Sequence, residues 1–199
     1  MPRALGYTCA MTRFPLLIAA LCLTAAPAAA EVRGPVSPSV VNLVGGLFCA
    51  PETAGRRPAP GTMDGWVHVP AEPIVLVAES DQAPMVLGMG FGVRYGLAGL
   101  GPGTVTYTVT HPPIPPSNMS VESWNSEAPV ASGDSFFFQF DRPEEMVPGE
   151  WTFSAAIAGE VLFTIAFQVR PASELPALAH LCRAPQMLSL SRRSPSAAG

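Results

Sequence analysis

The chain has 199 residues, 48% of them hydrophobic, with 11 basic against 15 acidic residues and a net charge of −4. That balance argues against a nucleic-acid or anionic-membrane partner, both of which demand clustered cations; here every basic residue is an arginine, and no basic patch is present. Its 23 prolines and 18 glycines divide the chain into short segments, the punctuation of an all-β domain.

The first element is an export signal. Arg13 supplies a positive start, Phe14–Ala26 an apolar run, and Ala28, Ala29 and Ala30 a small-residue cleavage site. Together they predict a signal peptide over residues 1–30, released before Glu31. The apolar run is shorter than the roughly 20 residues that cross a bilayer. Leu21 ahead of Cys22 argues against lipid attachment, and Met1 and Met11 serve equally as start. The mature chain of 169 residues is thus expected in the periplasm or outside the cell, with no membrane insertion after cleavage. Without Arg3 and Arg13, 9 basic residues face 15 acidic ones, a net charge of −6.

Two cysteines remain, Cys49 and Cys182, and a lone pair in an exported chain predicts one disulfide. A metal role would need a further ligand nearby, and His180 is the only candidate.

Residues 31–42 read as a lead-in and Leu43–Cys49 as the first strand, followed by a proline-rich loop over 50–64. Trp66–Val69 and Ile74–Ala78 are short apolar runs of edge-strand type, broken by Pro70 and Pro73. Over Leu87–Arg94 the bulky Leu87, Met89, Phe91 and Val93 alternate with three glycines, so one face packs and the other invites a close neighbour. Thr104–His111 sets Val105, Tyr107 and Val109 against four threonines, a strand with one wet side. Residues 112–133 read as a loop holding Trp124. Phe136, Phe138 and Phe140 share the next strand face, and a type II turn is expected at Val147–Glu150. Trp151, Phe153, Ala155 and Ile157 follow with period two, Ala158-Gly159 turns the chain, and Val161, Phe163, Ile165, Phe167 and Val169 return. A short helix is expected from Ser173 toward Leu181, then a tail over 183–199. The sum is a two-sheet β-sandwich over 43–182.

Reactive groups are sparse. His111 ends its strand, where a hydrogen bond to a loop carbonyl suffices to explain it. Asp141, Arg142, Glu144 and Glu145 form the densest charge cluster, and the expected state is solvated carboxylates paired with Arg142. No nucleophilic-serine elbow, zinc-protease helix or phosphate loop occurs, and no cofactor is expected. The reading is a non-enzymatic binding or structural module of the bacterial envelope, taking an unidentified protein or small molecule. An exposed aromatic patch would lie around the Ile114–Trp124 loop. The alternative is a hydrolase or metal-dependent enzyme using His111 with Asp141, Glu144 or Glu145.

Five blocks in combination carry a family likeness: GGLFC at 45–49, GFGVR at 90–94, VTHPP at 109–113, FQFDRPEEMVPGEW at 138–151, and F-x-V at 167–169. With them the chain resembles domain of unknown function 3859, an uncharacterised bacterial family, over residues 43–170. Leu181-Cys182 matches the end of its exported members. The closing hairpin is also similar to that of secreted immunoglobulin-like and macroglobulin-like sandwiches. The resemblance therefore implies an immunoglobulin-like fold, and it brings no catalytic residues with it.

Overall fold

Residues 30–131 and 133–182 are described by the computed structural model; the signal peptide expected over 1–30, apart from Ala30, and the tail over 183–199 lie outside them. In chain order the strands are β1 (Glu31–Val32), β2 (Val40–Cys49), β3 (Thr53–Pro58), β4 (Trp66–Pro70), β5 (Ala78–Glu79) and β6 (Gln82–Met85). They continue as β7 (Met89–Leu97), β8 (Thr104–Ile114), β9 (Met119–Glu127), β10 (Asp134–Gln139), β11 (Gly149–Ile157) and β12 (Glu160–Pro171). A 3-10 turn at Pro143–Glu145 precedes β11, and a one-turn helix α1 (Pro176–Ala179) follows β12.

One sheet runs β9-β8-β11-β12, and the free edge of β12 is shared by β1, antiparallel, and β6, parallel. The second runs β10-β7-β2-β5, while β3 and β4 form a separate hairpin. The two larger sheets pack face to face because their alternating strands each turn one apolar side inward. Phe91 of β7 meets Trp151, Phe153 and Phe167 of the opposite sheet edge-on, at ring separations of 5.4, 5.6 and 5.5 Å. Edge-to-face contact suits the quadrupoles of the rings. Val105, Tyr107 and Val109 are buried as their alternation predicts.

Departures from the sequence reading have physical reasons. The 50–64 segment contains β3, five of whose six residues are exposed, so no buried face imposed an apolar period. The 112–133 segment is not a loop either: β8 continues through Pro112 and Pro113 to Ile114, and β9 returns beside it. β9 places Glu122, Trp124 and Ser126 opposite Val109, Tyr107 and Val105, so its inward face is half polar and hid the alternation. The expected exposed patch at Ile114–Trp124 is therefore absent in that form, since Ile114 is buried in the core.

Further corrections are local. Residues 31–42 hold β1 and the start of β2, whereas most of Ile74–Ala78 is irregular. Leu87 lies ahead of β7 and is half exposed. The register shift between Ala155 and Ala156 places Leu162 inward and turns Val161 out, so Val161 leaves the period-two series that it begins in the sequence. The chain reverses before β11 through the 3-10 turn, while Gly149 opens the strand. The helix begins at Pro176 after Leu175, so Ser173 is not its cap. Cys49, at the end of β2, and Cys182, beyond α1, are joined by a disulfide with Cα atoms 5.2 Å apart.

Candidate functional site: a cleft beneath the β3–β4 hairpin

The strands β9 and β10 are the edges of their sheets on the same side of the sandwich. The β3–β4 hairpin covers that open side and is fastened at several points. Its turn accepts a hydrogen bond through Gly61 O from Ser123 N at 3.0 Å, and Met63 N donates to Glu122 Oε2 at 2.8 Å. Arg57 Nη1 donates to Ser126 Oγ at 3.0 Å, Asp64 Oδ1 lies 2.9 Å from Arg142 Nη2, and His68 Nε2 meets Asp141 Oδ2 at 2.5 Å. Between these fastenings remains a cleft of about 490 Å³, walled by Trp66, His68, Arg94, Trp124, Phe137 and Asp141 among others. The Arg56 guanidinium lies 3.7 Å from the centre of the Trp66 ring, a cation–π contact that holds the indole in place.

The cluster at Asp141–Glu145 is a structural clasp more than a solvated group. Glu145 is buried, and its Oε2 accepts the backbone N–H groups of Asp141 and Arg142 at 2.7 and 3.0 Å. Its Oε1 takes Arg142 Nη2 at 2.7 Å. Burial nevertheless holds the Glu145 carboxyl above the usual carboxylate range, because desolvation outweighs those three donors. Glu144 stays at the surface, 3.5 Å from Arg142 Nε. Asp141 is exposed and bridges Gln139 and His68. The prediction that all three carboxylates are partly solvated thus fails at Glu145. Glu145, not Asp141, is the carboxylate that accepts the backbone N–H groups of this turn.

His111 lies apart from that clasp. Its ring is fully enclosed and stacks on Trp151 with centroids 4.5 Å apart. Nδ1 is 2.8 Å from the Pro112 carbonyl oxygen, which only accepts, so the ring donates there. A carbonyl partner was expected for this histidine, but Pro112 belongs to β8, which runs on to Ile114, so the bond is made inside the strand and not to a loop. Nε2 faces Glu122 Oε1 at 3.3 Å, and neither atom has a hydrogen bond of good geometry. The group of His111 with Asp141, Glu144 and Glu145 that an enzyme would need is therefore split: two carboxylates, Asp141 and Glu145, line the cleft, while His111 is buried against Glu122.

Glu122 and His68 are the site residues that sequence reasoning missed. His68 sat in a run recognised as a strand, but its partner is 73 residues away. The alternation of Glu122 with Trp124 and Ser126 was the available signal, masked by its polar content. Deeper in, the hydroxyls of Tyr95 and Tyr107 meet at 2.9 Å, and burial pushes the Tyr95 phenol up to about 12 and raises that of Tyr107 further. Among the described residues no three His, Cys, Asp or Glu side chains gather as metal ligands would, and no helix is long and apolar enough to cross a membrane.

No curated protein matches the chain. Among solved structures it is similar to an immunoglobulin-like protein from Pseudomonas aeruginosa, with 20% identity over 73% of this chain and 100% of that one, at a TM-score of 0.44. The family model for the domain of unknown function DUF3859 matches residues 44–169, which hold the cleft and both sheets apart from β1 and the outer ends of β2 and β12, and the chain belongs to that family.

Proposed function

We propose that the protein is an exported, non-enzymatic binding module whose ligand sits in the cleft beneath the β3–β4 hairpin. The observation that carries this reading is the cleft itself. Its volume of about 490 Å³ falls inside the roughly 300–1,000 Å³ typical of ligand sites. Indole and phenyl rings line it together with eight Arg, Asp and Glu residues, so apolar walls stand beside many polar anchors. The buried acid Glu145 is already committed to backbone amides and to Arg142, so it favours a scaffolding role over acid–base chemistry. Export rests on the sequence of residues 11–30, and the Cys49–Cys182 bridge is compatible with it.

The test is an affinity pull-down from the native envelope fraction, analysed by mass spectrometry, with wild type beside Trp66→Ala. A retained species lost with Trp66→Ala supports the cleft; identical recovery by both proteins removes it. N-terminal sequencing of the protein from the same fraction is expected to begin at Glu31.

The enzyme alternative keeps one specific observation. His68 lies in the cleft with Nε2 bound to Asp141, the arrangement by which a carboxylate orients an imidazole base. No serine, threonine or cysteine side chain among the described residues hydrogen-bonds that ring. Turnover in a screen of hydrolase substrates, abolished by His68→Gln, would establish the enzyme in place of the binding module.

A further inference from the structure

Resting on that cleft, we propose that its ligand is an extended peptide carrying a carboxylate, which adds as a strand to the free edge of β10. Among the described residues β10 pairs with β7 and with no other strand. Phe140 N donates to Met89 O, and Phe138 stands opposite Phe91 in the same register. Hydrogen-bonded pairs alternate along an antiparallel ladder. Phe136 and Phe138 therefore bond toward β7, while the N–H and C=O groups of Ser135, Phe137 and Gln139 point the other way.

Those outward groups meet the cleft, since Ser135, Phe137 and Gln139 all line it. The Ser135 amide is satisfied by its neighbour Asp134 Oδ1 at 2.7 Å. No backbone bond from the hairpin reaches Phe137 or Gln139. The opposite wall includes β4, which among the described residues pairs only with β3. An open strand edge beside a cleft is the arrangement that β-strand addition uses: backbone bonds supply affinity and side-chain pockets supply selectivity. Five edge residues span about 17 Å at roughly 3.4 Å each, enough for a peptide of about five or six residues.

Charge selects among such peptides. Arg57 and Arg94 both line the cleft, and neither pairs with a carboxylate among the described residues. Six carboxylates line the cleft as well: Asp64 and Glu145 are held by Arg142, Asp141 is bound to the His68 ring, Glu122 and Asp134 accept the Met63 and Ser135 amides, and Glu72 has no ion pair among the described residues. Two guanidiniums with no carboxylate partner among the described residues, Arg57 keeping its bond to Ser126, favour a carboxylate from the peptide's C-terminus or from an acidic side chain. Trp66, Trp124 and Phe137 then offer aromatic walls to its alternate side chains.

The experiment selects binders to the oxidised full chain from a random linear heptapeptide library with free C-termini. Affinities of the recovered peptides are measured against wild type, Gln139→Ala and Gln139→Pro. Both variants lose the Gln139 side chain, but only proline removes the outward N–H, and an edge strand tolerates proline there. Strand addition requires Gln139→Pro to bind at least tenfold more weakly than Gln139→Ala, with matching near-UV circular dichroism. It also requires slowed exchange of the Phe137 and Gln139 amides on binding. N-methylation of alternate peptide amides must cost a similar factor, which keeps the test valid should Gln139→Pro fail to fold. Arg94→Ala should weaken binding. Loss on C-terminal amidation assigns the carboxylate to the terminus, and retention assigns it to a side chain. Peptides that perturb the fluorescence of Trp66 or Trp124 yet ignore both backbone blocks overturn strand addition and leave the cleft as the binding site. Recovery of no cleft-binding peptide overturns strand addition as well.

Discussion

Phe91 touches aromatic rings from three other strands, so the core behaves as one connected aromatic cluster. Phe153 and Phe163 are both fully buried within it, on adjacent strands of the same sheet. Replacing either by alanine is expected to cost about 3–5 kcal/mol, the usual penalty for emptying a buried aromatic site. Chemical denaturation measures this, and an unchanged midpoint would contradict the packing described. Glu145 makes a different prediction, because its folded pKa lies above its unfolded value. The folded chain then holds the proton more tightly, so this group's contribution is full below the usual carboxylate range and is lost as pH rises through the folded value. Glu145→Gln should therefore match wild type at about pH 4 and gain relative to it by about pH 7. A variant that instead falls behind as pH rises would mean that Arg142 and the two amides outweigh burial.

At the scale of elements, legibility followed burial. The β11–β12 hairpin was readable because both strands bury one apolar face, and its turn because Ala158 and Gly159 adopt positive φ angles of 51° and 87°. β3 and β9 were not, since an exposed strand and a strand facing a polar cleft leave no apolar alternation to read. The candidate site was lost with them: its hairpin came from a proline-rich stretch, and its contacts join residues far apart in sequence. The glycine face of β7 was anticipated to need a close neighbour, and Phe48 fills that role. The Phe48 ring covers Gly90 so closely that a Cβ there would fall within its van der Waals envelope. Phe48 is itself buried and in edge-on contact with Phe137 at 5.0 Å, so it has little room to retreat. Gly90→Ala should cost about 1–3 kcal/mol by overpacking. Thermal melting reads the loss, and a variant as stable as wild type would mean that Phe48 repacks freely.

The whole molecule is held by a bridge between positions separated by 133 residues. In the chain-entropy account a loop of that size contributes about 4–5 kcal/mol, less any native strain. Cys182→Ala should lower the denaturation midpoint by an amount corresponding to a few kcal/mol, while far-UV circular dichroism keeps its β signature. An unaltered midpoint would show that the bridge adds nothing to stability.

β1 pairs with β12, so the first and last strands among the described residues are neighbours, and their sheet also takes in β6, β8, β9 and β11. A ribosome or a translocation channel delivers residues one at a time, from the N-terminus. Nothing that emerges early can close this sheet alone: β8 and β9 wait for β11, and β1 waits for β12. Long-range pairing of this kind folds slowly. This sheet is thus complete only once β12 has been delivered, although β8 and β9 can pair before it.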